Sequence, residues 1–273
     1  MKVFVVDVAK CNGCYNCQVA CKDEHCGNDW MPYAKPQPDT GQFWCKVNKY
    51  VRGTVPKVKV AYVAKRCMHC DDAPCIAACP VEGAIYQRAD GLVIIDPAKC
   101  TGHQLCLDAC PYGVIYFNQE LNLAQKCTGC SHLLDRGWPI TEPRCVDSCI
   151  REALKFGEEA EFSDLIAQAE VLEPDFGAKP KARVHYLNLP KRFIAGTVYD
   201  PVAEEVVIGA TCTLNGNGDG GPFTTTTDGF GDFWFEGLAV GTFSLKIESS
   251  GKTKTIDSVS TDKDVNLGDI ALS

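Results

Sequence analysis

Four short runs of metal-ligating side chains constrain this chain more than any other feature of it. They are Cys11, Cys14, Cys17, Cys21; then Cys67, Cys70, Cys75, Cys79; then Cys100, His103, Cys106, Cys110; then Cys127, Cys130, Cys145, Cys149. The first and third runs have gaps of two, two and three residues, the second two, four and three, and the fourth two, fourteen and three. Eighteen cysteines in 273 residues admit either a disulfide scaffold or a metal protein. Fifteen of them fall in the four tight groups, which decides for metal, because a disulfide framework spreads its cysteines to staple distant loops.

The spacing has a chemical reason. A cubane iron-sulfur cluster needs one ligand per iron, and ligands two residues apart wrap it in a single tight loop. A short helix starting at the third cysteine carries the fourth away, and in two-cluster ferredoxins that last cysteine ligates the other cluster. "CQVACKDEH" from Cys17 and "CIAACP" from Cys75 suit such helices. After Cys79, "GAIYQRADGLVIID" reads as a β-hairpin turning at Asp90-Gly91, and "GVIYFNQELNLAQ" after Cys110 repeats it. The second and third runs thus form an inner two-cluster module over about 64–120. The first and fourth close an outer module, 1–63 with 121–160, and a wrapping segment runs on to 190.

On "CNGCYNCQVAC", "CMHCDDAPCIAACP" and "KCTGC" with its delayed "CVDSC", residues 1–190 resemble a known family. These are the four-cluster, ferredoxin-like electron-transfer subunits of molybdenum or tungsten bis-pterin oxidoreductases, the dimethyl-sulfoxide-reductase superfamily. The resemblance implies four 4Fe-4S clusters and a ligand pairing. One cluster takes Cys11, Cys14, Cys17 and Cys149, and its neighbour Cys127, Cys130, Cys145 and Cys21. The inner pair takes Cys67, Cys70, Cys75 and Cys110, then Cys100, His103, Cys106 and Cys79. His103 departs from the pattern, and three readings stand: an imidazole ligand to a cubane, a three-iron centre, or an empty site.

Cys26, Cys45 and Cys212 lack ligand spacing and read as free thiols or small buried side chains. The segment between the first two runs, with Trp30 and Trp44, reads as a cover for a cluster, a partner contact or an ordinary long loop. "SDLIAQAEVLE" is expected to form a short amphipathic helix capped by Ser163. "PDFGAKPKARVHYLNLPKR" is expected to be an extended connection, with His185 a surface or packing residue.

From Phe193 the rhythm changes to about seven short strands separated by turns, the pattern of a β-sandwich. "TTTTDGFGDFWFEGLAVGTFSLKIE" resembles carboxypeptidase-regulatory-like and transthyretin-like domains. Asp228 and Asp232 read as turn formers, with calcium binding the alternative. The expected architecture is α+β, a four-cluster domain over 1–190 and a sandwich over 191–273. The pairing of such a sandwich with such a cluster domain narrows the resemblance to the small subunits of pyrogallol–phloroglucinol transhydroxylases and related anaerobic phenol hydroxylases.

Charge is uneven: residues 194–273 hold 4 Lys+Arg against 12 Asp+Glu, and the rest is balanced at 23 against 23. Neither part is a basic nucleic-acid surface. No apolar stretch approaches the roughly 20 residues that span a bilayer. "MKVFVVDVAKC" reads as a first strand rather than a signal peptide. No nucleophile–base set, phosphate loop or nucleotide fingerprint is visible, so the chain reads as a non-catalytic electron conduit.

The resemblance implies a large molybdopterin catalytic partner and leaves a soluble carrier or a membrane anchor as the further electron partner. It favours the cytoplasm, with export alongside the partner the alternative. Three other readings stand beside it: the iron-sulfur subunit of a respiratory molybdoenzyme, a stand-alone enzyme with an open iron at the His103 site, and an adhesion role for the sandwich.

Overall fold

A computed structural model describes every residue except Trp138, Ile140 and 217–220. The chain divides into two compact units, Met1–Lys49 with Ala61–Leu189, and Tyr50–Val60 with Pro190–Ser273. The sequence boundary left residues 50–60 in the first domain. They group with the second because they form the outer part of a long hairpin that packs on the sandwich strands.

The elements of the first part of the chain are, in order, β1 (Lys2–Asp7), α1 (Asn16–His25), β2 (Cys45–Thr54), β3 (Lys57–Arg66), α2 (Pro74–Ala77), β4 (Ile85–Gln87) and β5 (Val93–Ile95). There follow α3 (Leu105–Asp108), β6 (Tyr116–Asn118), β7 (Leu123–Gln125), α4 (Ser131–Arg136), α5 (Arg144–Asp147), β8 (Leu154–Glu158), α6 (Ser163–Ile166) and β9 (Val184–Leu187). Strand β1 lies between β8, antiparallel, and β9, parallel. A central strand covered on both faces explains why Val3, Phe4, Val5 and Val6 are all buried instead of alternating. The two anticipated hairpins are β4–β5 and β6–β7, and Gly91 takes the left-handed conformation its turn requires, with φ +92°. After α1 the segment between the first two runs is irregular through residue 44, with isolated bridges Cys26–Gln37 and Trp30–Ala34, and then becomes a hairpin, β2–β3; Trp44 and Cys45 at its start are buried.

Two expectations are corrected. The helix foreseen at "SDLIAQAEVLE" is a single turn, and Ser163 is its first residue rather than its cap; Phe162 takes the cap position without a side-chain hydrogen bond, and Glu158 with Glu161 forms a capping box around the separate 3-10 turn Glu159–Phe162 that precedes it. The chain leaves the helix because Glu170 exchanges both backbone hydrogen bonds with Tyr186, at 2.8 and 2.7 Å. The connection expected to be merely extended contains β9, whose Val184 and Tyr186 are buried in the core.

The second unit has strands β10 (Arg192–Asp200), β11 (Glu205–Val206), β12 (Thr211–Gly216), β13 (Phe223–Thr226), β14 (Asp232–Leu238), β15 (Thr242–Ser249), β16 (Lys252–Ser260) and β17 (Val265–Ala271). They form two four-stranded sheets, one built on β10 with β11, β14 and β17, the other ordered β13-β12-β15-β16. Among the described residues this is one strand more than expected, because Gly209, at φ +72°, splits "EVVIGATCTL". Period two is clear: Phe233, Phe235, Leu245 and Ile247 are buried while Glu236, Lys246 and Glu248 face outward. Cys212 is wholly buried among them, a core side chain. Asp228 accepts the backbone N–H groups of Phe230 and Asp232, both at 2.9 Å, which is the turn-forming role.

Within this unit the nearly buried Lys57 is paired with Asp232, which also accepts from Thr197 at 2.7 Å. Asp232→Asn should strand the Lys57 ammonium and destabilise the sandwich by about 3 kcal/mol, the scale for breaking a buried pair. Calorimetry of the intact, air-free chain should show one transition moving to lower temperature with iron content unchanged. An unmoved transition would show that the ammonium is solvated.

Candidate metal centres

Each run begins with the same backbone device. The residue just before the second ligand is left-handed in all four: Gly13 at φ +72°, His69 at +46°, Gly102 at +80° and Gly129 at +64°. A Cβ at Gly13 would come within 2.5 Å of the Tyr62 ring, so glycine is required there for space as well as for φ. His69 is the exception, held by its ring: Nδ1 accepts the Val93 N–H at 2.9 Å. The twist turns the chain back over the first cysteine, whose sulfur then accepts a backbone N–H, from His69 to Cys67 and from Gly129 to Cys127, both at 3.4 Å. In the first and third runs the residue after the second ligand is left-handed too, Tyr15 at φ +63° and Gln104 at +64°. His103 therefore occupies the backbone position of Cys14.

The third ligand of every run is the second residue of a helix: Cys17 in α1, Cys75 in α2, Cys106 in α3, Cys145 in α5. The fourth follows four residues later, about 6 Å along a helix axis. The structure shows where it goes. Cys110 lines one cavity with Cys67, Cys70 and Cys75. Cys79 lines another with Cys100, His103 and Cys106. Cys149 and Cys14 both lie beside Cys11, and Cys21 lies beside Cys127, Cys130 and Cys145. Helices α1 and α5 pack together, as do α2 and α3, and these two contacts bring the last cysteine of each run beside its neighbouring run.

These sites fit a cluster better than a single ion. Among the described residues no three His, Cys, Asp or Glu side chains converge as a mononuclear site demands. Sulfurs spaced around a cavity suit a multi-iron core whose corners lie apart. Burial first, then neighbouring thiolates, push Cys75 and Cys127 up to about 12 and Cys106 to about 11. Such thiols ionise together only around a strongly positive core, as ligation requires. His103 itself is exposed at the rim of its cavity.

Several polar groups around the sulfurs escaped the sequence reading. Arg66 is wholly buried, with Nη1 3.2 Å from the Cys145 sulfur and its guanidinium 4.8 Å over the Phe4 ring. Burial opposes its charge, and Cys45, Cys145, Tyr186 and Cys127 outweigh that. Lys126, also buried, donates to the carbonyls of Val93 and Cys127. Cys45 is not a remote thiol but sits between Cys17 and Cys145. A signal was present in the sequence: Lys10, Arg66, Lys99 and Lys126 each directly precede the first cysteine of a run.

Comparison with known proteins finds relatives for both parts of the chain. A 4Fe-4S dicluster domain matches residues 58–159, and a carboxypeptidase regulatory-like domain matches 194–273. The pyrogallol hydroxytransferase small subunit of Pelobacter acidigallici is 40% identical, over 98% of each chain. A tetrathionate reductase subunit of Salmonella typhimurium is 34% identical over 70% of this chain and 74% of its own. The arsenate respiratory reductase iron-sulfur subunit of a Shewanella species is 30% identical over 68% of this chain and 95% of its own. No helix among the described residues is long and apolar enough to cross a membrane. Full-length similarity, together with the matched 4Fe-4S dicluster domain, shows that the chain belongs to the ferredoxin-like iron-sulfur electron-transfer subunits of bis-pterin oxidoreductases, the family that includes the pyrogallol hydroxytransferase small subunit.

Proposed function

We propose that this chain carries electrons between a molybdenum or tungsten pterin centre in a large catalytic partner and an external carrier, and that the partner acts on polyhydroxylated aromatics. Iron-sulfur clusters supply one-electron redox chemistry, and the sixteen residues of the four sets would hold them. The observation that supports the reading is that the last cysteine of each run lies beside the neighbouring run, from which we infer an exchange of fourth ligands. Runs one and four share Cys149 and Cys21, runs two and three share Cys110 and Cys79, and Cys127 of the outer module stands close to Cys67 of the inner. A linear relay is what such an order supports. The set with His103 supplies three thiolates and one imidazole, and we read His103 as its fourth ligand.

The aromatic substrate rests on the relative named for pyrogallol, whose similarity extends through the sandwich. The relatives named for tetrathionate and arsenate favour the second reading, a respiratory complex, but match only 70% and 68% of this chain. The sandwich, without any ligand run, serves as a structural or docking module. We place the complex in the cytoplasm; a twin-arginine signal on the partner would overturn that.

Purification without oxygen tests the function. The chain should emerge with a large pterin subunit, and should contain about sixteen iron and sixteen sulfide. A preparation holding eight of each, or a chain that turns over substrate alone, would defeat the proposal.

A further inference from the structure

Arg66 is the feature of the first unit that the ligand sets leave unexplained. Its side chain is 0% exposed, and of its donors only Nη1 has a partner among the described residues, the Cys145 sulfur at 3.2 Å. Nε and Nη2 are buried with no acceptor. A buried N–H without a partner is costly, and native proteins seldom leave one. A guanidinium holds its charge and its planar fork of donors under all ordinary conditions. Around this fork stand three sulfurs, those of Cys45, Cys145 and Cys127, with the Tyr186 phenol and the Phe4 ring. Arg66 also directly precedes Cys67, so it stands where the set of Cys127 and Cys145 approaches the set of Cys67. Lys126 offers the contrast, since its ammonium is engaged by the carbonyls of Val93 and Cys127.

We propose that Arg66 sets the potential of the cluster held by Cys21, Cys127, Cys130 and Cys145, its free Nε and Nη2 donating to sulfur of that cluster. The inference rests on the ligand assignment above. Reduction adds one electron, and so one negative charge, to a group already anionic. A fixed positive charge with hydrogen bonds to sulfur favours the reduced form and raises the potential, since such bonds and net charge are among the factors that set it. Arg66 is thus a positioning and tuning residue that makes this cluster an electron-accepting step in the relay; it ligates no iron.

The test is a redox titration of the complex, prepared without oxygen and followed by electron paramagnetic resonance. Cys145→Ser first identifies the signal of this cluster. Arg66→Gln should then lower the midpoint of that same signal by at least about 59 mV, a tenfold fall in its reduced-to-oxidised ratio at fixed potential, with iron content at the wild-type value. Arg66→Lys, which keeps the charge but not the fork, should fall between the two, and it serves if Arg66→Gln loses iron. Full iron with the midpoint unmoved in both variants would overturn the role of Arg66. A shift confined to a signal other than that of Cys145→Ser would also overturn it. If Cys145→Ser changes neither iron nor any signal, the ligand assignment fails instead.

Discussion

Cys110→Ser should remove the cluster of the second run and spare that of its own. Cys110 follows Cys106 by four residues in and just beyond α3, and the helix carries it about 6 Å away from the site its run begins. It lines the cavity of Cys67, Cys70 and Cys75, not the one holding Cys100, His103 and Cys106. Cys79 makes the reciprocal move. Iron should fall from about sixteen to about twelve per chain, a loss of one cubane. The paramagnetic signal that disappears should be the one lost in Cys70→Ser. Cys79→Ser should in turn abolish the signal lost in Cys100→Ser. If each variant instead loses the signal of its own run, the fourth ligands are not exchanged and the linear relay has no basis. The loss should also cost stability, because the cavity walls include Val93, Tyr112 and Ile115 of the hydrophobic core. Without the cluster, buried thiols face one another across an unfilled space.

What could be read from the sequence was local. A ligand run is a loop and one helical turn, so its spacing declares both, and the hairpins β4–β5 and β6–β7 announce themselves through their turns. The apolar stretch Val3–Val6 is likewise its own evidence for a strand. The errors arose where a distant partner decides. "VHYL" has no turn signal and becomes β9 only by pairing with β1. The helix at Ser163 stops early because Tyr186 captures the backbone of Glu170. Residues 50–60 look like any polar hairpin, and their place with the sandwich depends on Arg52 meeting Asp264 and Lys57 meeting Asp232. Arg66 lies between these cases: its position before a run is visible in the sequence, but its burial and its two unpaired donors are not.

His103→Cys should leave the cluster count unchanged and lower the potential of one cluster. The backbone carries His103 where the first run carries Cys14, between a left-handed Gly102 and a left-handed Gln104, matching Gly13 and Tyr15. The loop is thus twisted to deliver a ligand at position 103, and imidazole replaces thiolate on iron in Rieske centres. A neutral imidazole in place of a thiolate leaves the site one charge less negative, which raises the potential. Restoring the thiolate should reverse this, and a tenfold fall in the reduced-to-oxidised ratio would be about 59 mV. His103→Ala removes the ligand and should convert the site to a three-iron centre, visible in the oxidised protein, with about fifteen iron per chain. A three-iron signal already present in the oxidised wild type would sink the ligand assignment. So would about twelve iron in the wild type with spectra indifferent to both substitutions, since the relay would then end at the cluster of Cys67, Cys70, Cys75 and Cys110, and Cys79 would be left without a cluster to serve.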